Sequence, residues 1–362
     1  MVAEIAPGPH ATRYWHALSD GRVQCDVCPR HCRLREGRRG LCFVRLCRGD
    51  AVVLTTYGRS SGFCVDPIEK KPLNHFLPGT AVLSFGTAGC NLACRFCQNW
   101  DISTSRETDT LADAASPEAL ATTAERLGCR SVAFTYNDPV IFLEYAVDTA
   151  IACRARGIET VAVTAGFVCP EPRAELFAHI TAANIDLKSF RDDFYRRVCS
   201  GRLAPVLETL EYVRHETRCW LEITTLVIPG LNDSNEELDA LTRWVVGHLG
   251  EDVPLHFSAF HPDHRMRDRP STPVATLRRA RRIARANGVR HAYIGNVRDP
   301  EGETTFCHAC GEPLIVRDGY AIEAWRLDAT GCCPRCGTAS AGVFETHPGT
   351  WGPRRLPVRI AA

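Results

Sequence analysis

The sequence predicts an α/β fold whose parallel sheet is either open or curled into a partial barrel. From about residue 80 to residue 297, short apolar runs alternate with longer amphipathic runs, as strands alternate with helices in such folds. Polar, glycine-rich or ionisable residues follow each apolar run, where the functional loops of parallel sheets lie. The predicted strands are residues 81–86, 131–136, 158–164, 184–187, 219–227, 253–259 and 289–294.

Three of the intervening helices have clear boundary signals. Ser116 predicts the N-cap of a helix that ends at Gly128. Ser234 and Glu237 have the spacing of a capping box, in which each side chain bonds the other residue's backbone N–H. A basic helix is predicted over residues 276–287, before a glycine.

Length and composition exclude several classes of protein. The 362 residues suffice for one large domain with appendages or for two to three ordinary domains, and Lys plus Arg (43) balance Asp plus Glu (42). This balance argues against nucleic acid or an anionic membrane as a partner. Residues 1–25 lack the continuous apolar core of a signal peptide, and no stretch has the length of a membrane span. We therefore expect a cytoplasmic protein whose 19 cysteines are reduced, many of them as metal ligands.

Three groups of cysteines divide the chain. We expect a cysteine-rich N-terminal extension over residues 1–78, a barrel over residues 79–299, and a C-terminal metal-binding lobe with a tail over residues 300–362. The groups are Cys25, Cys28, Cys32 and Cys42; Cys90, Cys94 and Cys97; and Cys307, Cys310, Cys333 and Cys336.

The central group has the spacing CxxxCxxC and follows the first predicted strand. Cys90, Cys94 and Cys97 are one thiolate short of the four that complete a [4Fe–4S] cluster, so one iron would keep an open site for a second ligand. The alternatives are a zinc site, which usually has four protein ligands, or three core cysteines. The spacing and the strand before it favour the cluster.

This motif, with Phe96 directly before its last cysteine, resembles the signature of the radical S-adenosylmethionine (radical SAM) superfamily. Further segments resemble the AmmeMemoRadiSam-system radical SAM enzymes, which are relatives of the pyruvate formate-lyase activating enzymes. The resemblance implies a partial (β/α)6 barrel of the TIM-like type with the cluster at its open end. These segments are residues 136–139, 185–190, 222–233, 257–262 and 293–297.

The resemblance also implies a set of cofactor-binding residues. Asn137 and Asp138 match a family Asn-Glu-Pro segment that holds the amino group of SAM, although Asp is one methylene shorter than Glu. Thr164 matches the first residue of a related Thr-Asn-Gly segment, in which Ala165 replaces the Asn. Phe96 belongs to the cluster motif itself.

Three further residues are implied as catalytic. Asp186 and Lys188 match an Asp-x-Lys segment that lies in the SAM and substrate cleft of the activating enzymes. An ordinary ion pair is the alternative, since side chains at i and i+2 of a strand share a face. His261 matches a histidine near the adenosyl group, and a structural histidine is the alternative there.

The C-terminal cysteines form two CxxC knuckles, which predict a zinc-ribbon or rubredoxin-like lobe. Zinc is favoured over a single iron. Cys332 competes with Cys333 as a ligand, but Cys333 has the required spacing from Cys336.

The N-terminal cysteines predict a metal site of undecided type. Four thiolates could hold zinc or a second, fully ligated iron–sulfur cluster. His31 could replace one of the four.

Together these features predict a radical SAM enzyme that cleaves SAM reductively and abstracts hydrogen from an unknown substrate. The resemblance implies an electron donor such as flavodoxin or ferredoxin, and a system with Memo-like and AMMECR-type proteins. One alternative is an activase that installs a glycyl radical on a partner enzyme. Another is a zinc-binding interaction or nucleic-acid module, which the basic run at residues 278–282 would suit.

Overall fold

The computed structural model describes residues 9–106, 111 and 113–360. Its strands are β1 (His10–Ala11), β2 (Trp15–Ala17), β3 (Val23–Cys25), β4 (Arg33–Leu34), β5 (Arg45–Arg48), β6 (Ala51–Leu54), β7 (Arg59–Ser60), β8 (Phe63–Pro67), β9 (Ala81–Phe85), β10 (Asp113–Ala114), β11 (Ser131–Phe134), β12 (Glu159–Thr164), β13 (Ala182–Asp186), β14 (Trp220–Val227), β15 (Leu255–Ala259), β16 (Ala292–Gly295), β17 (Thr305–Phe306), β18 (Pro313–Asp318), β19 (Ala321–Trp325) and β20 (Leu356–Val358).

Helices connect the larger strands. The α-helices are α1 (Trp100–Ser103), α2 (Pro117–Arg126), α3 (Leu143–Arg154), α4 (Pro170–Phe177), α5 (Asp192–Phe194), α6 (Ala204–Glu216), α7 (Asn235–Leu249), α8 (Val274–Ala286) and α9 (Pro300–Glu303). Short 3-10 helices span Ile68–Lys70 and Pro139–Phe142, and a π-helical turn spans Tyr195–Cys199.

A nine-stranded sheet is the centre of the fold. Its order is β16-β15-β14-β13-β12-β11-β9-β8-β20, and the seven strands from β9 to β16 are parallel. Each of these seven strands is followed along the chain by helical structure. This architecture confirms the predicted α/β class and the barrel-like parallel sheet. The seven predicted strands all form, with ends that differ by a few residues.

The helix starts follow the predicted caps in two cases. The Ser116 hydroxyl accepts a hydrogen bond from the N–H of Ala119, and the Ser234 hydroxyl accepts one from Glu237. The second half of the expected capping box does not form, however. The Glu237 carboxylate instead accepts hydrogen bonds from the Ser189 hydroxyl and the Phe190 N–H, so this side chain links α7 to the loop after β13.

The sheet also receives a strand from each end of the chain. β8 pairs antiparallel with β9, and β20 pairs antiparallel with β8. Residues 63–67 and 356–358 therefore extend the barrel sheet, although they belong to the predicted N-terminal and C-terminal segments. The division at residues 78 and 299 stays a prediction.

The predicted basic run lies on α8, where most of its arginines have acidic or carbonyl partners. Arg278 pairs with Asp299, and Arg281 pairs with Glu301. Arg279 donates to the carbonyl oxygen of Asp233. These three arginines are therefore paired with groups of the same chain.

An ion pair buried between the N-terminal segment and α3 joins the two regions. The Arg45 guanidinium lies 2.7 Å from the Glu144 carboxylate, and both side chains are at most 2% exposed. Arg45 also donates to the Ile141 carbonyl oxygen. Because neither ion contacts bulk water, each needs the other.

We expect Glu144→Ala to lower the free energy of unfolding by about 3–5 kcal/mol, since it leaves the Arg45 charge buried without its partner. Urea titration followed by circular dichroism measures this loss. Glu125→Ala, which removes an exposed pair with Arg156, is the control and should change stability little. Equal effects of the two substitutions would contradict the structural role of the buried pair.

Candidate active site

The loop after β9 brings three cysteines to the carboxyl end of the parallel strands. Cys90, Cys94 and Cys97 all line one cavity of about 250 Å³. The other walls come from the ends of neighbouring strands, as parallel-sheet folds place their functional groups. The wall residues that were predicted as site residues are Phe96, Asn137, Asp138, Thr164, Asp186 and Lys188.

The three thiols lie in surroundings that favour their protonated form. Burial raises the pKa of Cys90, with a further contribution from the nearby Asp138 carboxylate. A hydrogen bond with Cys199, followed by burial, raises the pKa of Cys94. Burial also raises the pKa of Cys97, which the Ser103 hydroxyl partly opposes. A bound metal would stabilise these thiolates and displace their protons.

The spacing of the thiols distinguishes this site from a site for one ion. Within the described residues, the C-terminal cysteines form the one group whose ligand atoms all lie within 4.8 Å of one another. Cys90, Cys94 and Cys97 do not form a second such group. In an iron–sulfur cluster each thiolate binds a different iron, so wider spacing fits that group better than zinc.

Asn137 anchors the cysteine loop to the end of β11. Its amide nitrogen donates to the Gly89 carbonyl oxygen at 2.9 Å, and its amide oxygen accepts the Thr87 N–H at 3.1 Å. The side chain is buried and spans both ends of the segment that enters the loop. Asn137 thus positions the loop through its backbone.

Asp138 connects three neighbouring elements. One carboxylate oxygen accepts hydrogen bonds from the Val140 N–H and the Thr164 hydroxyl, and the other accepts the Ala165 N–H at 2.9 Å. Burial raises the pKa of Asp138, although these donors oppose the shift. The carboxylate therefore fixes the ends of β11 and β12 against each other.

Asp186 and Lys188 form an ion pair inside the cavity. The Lys188 ammonium lies 2.6 Å from the Asp186 carboxylate and 5.9 Å from the centre of the Phe96 ring. Burial lowers the pKa of Lys188, but the Asp186 carboxylate together with Cys94 and Cys199 outweighs burial and leaves the pKa above its ordinary value. Tyr195 accepts the Lys188 N–H through its hydroxyl oxygen. A fixed positive charge thus faces the cysteine loop.

His261 lies away from this cavity. Its ring is exposed and hydrogen-bonds the Ser271 hydroxyl and the Asn296 carbonyl oxygen, each at 3.3 Å. His261 is absent from the described residues that line the cavity. The structure therefore does not bring it together with Asp186 and Lys188.

A larger cavity of about 1280 Å³ adjoins the first. The two share wall residues that include Gln98, Thr135, Tyr136 and Thr224. Tyr136 has a positive φ of 70°, which is uncommon for a non-glycine residue, and its hydroxyl donates to Asp66 at 2.9 Å. The ring is therefore fixed where the two cavities meet.

Residues 85–244 match the family model described as the radical SAM superfamily. The chain belongs to the radical SAM superfamily. It is also 39% identical over 325 residues to the uncharacterized protein MJ0808 of Methanocaldococcus jannaschii, a match that covers 90% of this chain and 96% of that protein. The two belong to one family along nearly their whole lengths.

Solved structures with similar folds include a domain of pyruvate-formate lyase-activating enzyme from Bacteroides vulgatus, at 18% identity over 46% of this chain and 99% of that one, with a TM-score of 0.41. A radical SAM methyltransferase from Sphaerobacter thermophilus is 17% identical over 66% of this chain and 71% of that one, with a TM-score of 0.47. Both TM-scores are below 0.5, so these similarities do not bear on the function of this chain.

Membership of the superfamily confirms that this protein is a radical SAM enzyme, and it implies SAM and a [4Fe–4S] cluster as cofactors. The cavity fits these groups. Its walls contain the three thiols of the motif, which leave one iron of a cluster without a cysteine ligand from the motif, and the Lys188 ammonium, which is held in place by Asp186. The assignment of individual residues and the AmmeMemoRadiSam system stay predictions.

The C-terminal cysteines of this radical SAM enzyme form a compact group that could bind a metal. The Sγ atoms of Cys307 and Cys336 lie 3.6 Å apart, and those of Cys310 and Cys333 lie 3.7 Å apart. Tetrahedral zinc–thiolate geometry requires about 3.8 Å, from Zn–S bonds of about 2.3 Å. The group fits a zinc ribbon, and it contains Cys333 rather than Cys332.

The N-terminal cysteines also meet at one place. Cys25, Cys28, Cys32 and Cys42 line a single small cavity between the N-terminal segment and the barrel. His31, the predicted substitute ligand, does not line it; its ring contacts Asp26 and Cys169.

Two positioning residues were missed by sequence reasoning. Cys199, at the end of the π-helical turn, hydrogen-bonds Cys94, and its carbonyl oxygen accepts the Ala93 N–H at 3.0 Å. Asn232 donates to the carbonyl oxygens of Lys188 and Leu226, which ties the ends of β13 and β14 together. Local patterns do not reveal such contacts, since they join segments far apart in the chain.

Among the helices of the described residues, none combines the length and apolar character that crossing a membrane requires.

We expect Asp138→Asn to weaken SAM binding about tenfold or more. The amide would lose one acceptor oxygen and turn its own N–H groups toward the Ala165 N–H, at a cost of about 1–3 kcal/mol. Calorimetric titration of the iron-loaded protein with SAM measures the affinity. Asp239→Asn, on the exposed face of α7, is the matched control. An unchanged affinity in Asp138→Asn would show that this carboxylate does not organise the SAM site.

Proposed function

We propose that Cys90, Cys94 and Cys97 hold the [4Fe–4S] cluster, and that SAM and a substrate occupy the two adjoining cavities. One observation carries this proposal: the three thiols line a cavity at the strand ends that shares wall residues with a second, larger one. The smaller cavity contains the residues that the family resemblance assigns to SAM. The larger cavity provides space for a substrate next to it.

When bound, the cluster would supply the electron for reductive cleavage of SAM to methionine and a 5′-deoxyadenosyl radical, and that radical would abstract a hydrogen atom from a substrate C–H bond. The chain's own residues position these partners. Lys188 keeps a positive charge beside the cysteine loop, where it can bind a carboxylate. Asn137 and Asp138 fix the loops around the cavity, and Tyr136 borders the passage to the substrate.

The electron would come from a donor protein such as flavodoxin or ferredoxin. The cysteine loop supports this proposal because its residues Ala93 and Arg95 are exposed. A donor protein can therefore approach the cluster ligands from solvent. The proposed cytoplasmic location and the proposed Memo-like and AMMECR-type partners rest on the composition and on the family resemblance.

We expect the anaerobically reconstituted protein to release 5′-deoxyadenosine from SAM after reduction, and Cys94→Ala to abolish this release. The substitution removes one of the three cysteine ligands, and the motif contains no further cysteine that could take its place. Chromatographic quantification of 5′-deoxyadenosine measures the reaction.

Cys153→Ala is the control for the loss of a buried thiol, since Cys153 lies on α3 outside the cavity walls. It should keep the wild-type rate. Release of 5′-deoxyadenosine by Cys94→Ala at the wild-type rate would refute the proposed cluster site.

We also propose that the C-terminal group binds zinc. The support is the tetrahedral spacing of its sulfur atoms and the two CxxC knuckles. Hydrogen bonds with the hydroxyl and the N–H of Thr338 lower the pKa of Cys336 to about 6. This lobe would then be stabilised by its metal.

We expect Cys333→Ser to lose about one equivalent of zinc per chain, since the site would keep three thiolates. Cys332→Ser changes the neighbouring residue, which lies outside the group, and should retain the metal. Elemental analysis of both variants after purification decides between them. Loss of zinc in Cys332→Ser alone would show that Cys332, and not Cys333, is the ligand. Iron in place of zinc would point to a rubredoxin-like site.

A further inference from the structure

The four N-terminal cysteines surround one cavity that no part of the proposed reaction uses. Cys25 and Cys42 are at most 9% exposed, and Cys28 and Cys32 are half-buried. The rest of the wall is mostly apolar, with two arginines. It consists of Val27, Arg30, Gly40, Arg45, Asn91, Val140 and Ile141.

The local fold holds the four thiols in place. Cys25 ends β3, and its N–H donates to the Cys32 carbonyl oxygen at 2.9 Å, which closes the turn that carries Cys28. Cys42 comes from a second turn, where the Gly40 N–H donates to the Arg45 carbonyl oxygen. At Gly40, an added Cβ would lie 3.6 Å from the Cys42 sulfur and 3.7 Å from the Cys32 sulfur. The two turns therefore aim their thiols at a shared space.

The spacing of these thiols differs from that of the C-terminal group. Across the described ranges, which include residues 25–42 in full, these cysteines are not a group whose ligand atoms all lie within 4.8 Å. Four thiolates on one zinc ion would have to meet that spacing, as Cys307, Cys310, Cys333 and Cys336 do. Four thiolates that each bind a different iron would not.

We propose that Cys25, Cys28, Cys32 and Cys42 bind a second [4Fe–4S] cluster in which every iron has a cysteine ligand. No iron is left open there, so this cluster does not bind SAM. It is distinct from the proposed cluster at Cys90, Cys94 and Cys97.

The charges around the cavity suit such a group. A [4Fe–4S] cluster with four thiolates is an anion, and a buried anion needs nearby positive charge. Arg45 and Arg30 both line the cavity. The Arg45 charge is paired with the Glu144 carboxylate, whereas the described contacts of Arg30 are with the uncharged carbonyl oxygens of Asn91 and Ser200.

The cavity of the N-terminal cysteines lies directly behind the central cysteine loop. Asn91 lines the N-terminal cavity, whereas its neighbour Cys90 lines the proposed SAM cavity. A Cβ at Gly89 would collide with the Cys42 carbonyl oxygen, so the two cysteine segments touch through their backbones. The second cluster would therefore support the loop that carries the first.

The test separates the two sites by removing one at a time. The central-site variant combines Cys90→Ala, Cys94→Ala and Cys97→Ala, and the N-terminal variant combines Cys28→Ala and Cys32→Ala. Each protein is reconstituted anaerobically with ferrous iron and sulfide, and bound iron and acid-labile sulfide are counted. Sulfide is the deciding quantity, because neither zinc nor a single rubredoxin-type iron carries it.

We expect about eight sulfides per wild-type chain and about four in the central-site variant. We expect the reduced central-site variant to show the electron paramagnetic resonance signal of a [4Fe–4S] cluster, unchanged by added SAM. The N-terminal variant keeps only two of the four thiolates, fewer than the central cluster has, and should lose sulfide from the N-terminal site. Cys47→Ala, a buried cysteine of the same region outside the cavity wall, should keep the wild-type count.

A central-site variant that binds no sulfide overturns the proposal, whether it binds zinc at these cysteines or no metal. Circular dichroism of that variant must match the wild type, so that unfolding does not explain a loss of sulfide. If the wild type itself binds about four sulfides, the same variant assigns them: it keeps the four if they belong to the N-terminal site and loses them if they belong to the central site. The result is independent of the proposed function. Failure of wild-type protein to release 5′-deoxyadenosine, with four sulfides retained in the central-site variant, would leave the second cluster standing.

Discussion

The cysteine loop after β9 has little regular structure, so the polar groups of its buried backbone must find partners in other parts of the fold. The Asn137 amide binds the carbonyl oxygen of Gly89, and the Arg30 guanidinium binds that of Asn91. The carbonyl oxygen of Cys199 accepts an N–H from the middle of the loop. The loop is thus held by the end of β11, by the N-terminal segment and by the π-helical turn. This explains why these three regions converge at one end of the sheet.

Three groups of cysteines with similar local spacing form three different sites. In the C-terminal lobe, tight turns draw four sulfur atoms to the distances of one tetrahedral ion. At the other two places, the thiols line cavities that they do not fill. The difference comes from the surrounding packing, since CxxC and CxxxC spacings occur in more than one of the groups. Sequence spacing indicates that cysteines can share a metal, and the tertiary structure determines which kind.

The sequence predicts the parallel strands well because each is an apolar run with polar residues at its end, and burial on both faces preserves that signal. It fails where partners come from far along the chain. β8 and β20 are short, and β20 has its partner strand, β8, near the other end of the chain. Glu237 fits a capping box, but Ser189 and Phe190 offer better-placed donors. At the site, the cysteine motif and Asp186–Lys188 are local patterns and could be predicted, whereas Cys199 and Asn232 act through packing. The sequence motif that includes His261 does not determine the direction of its ring, which contacts Ser271 and Asn296 outside the cavity.

The last strand of the chain covers the edge of a strand made near its beginning. All five residues of β8 are buried, and β20 pairs along its outer side. Until β20 is in place, β8 is the outermost strand of the sheet and one of its two edges is unpaired, which is the kind of edge that recruits other chains. During synthesis the growing protein must therefore keep this edge from self-association by other means. Pairing with residues 356–358 covers that edge, so the C-terminal segment completes the sheet.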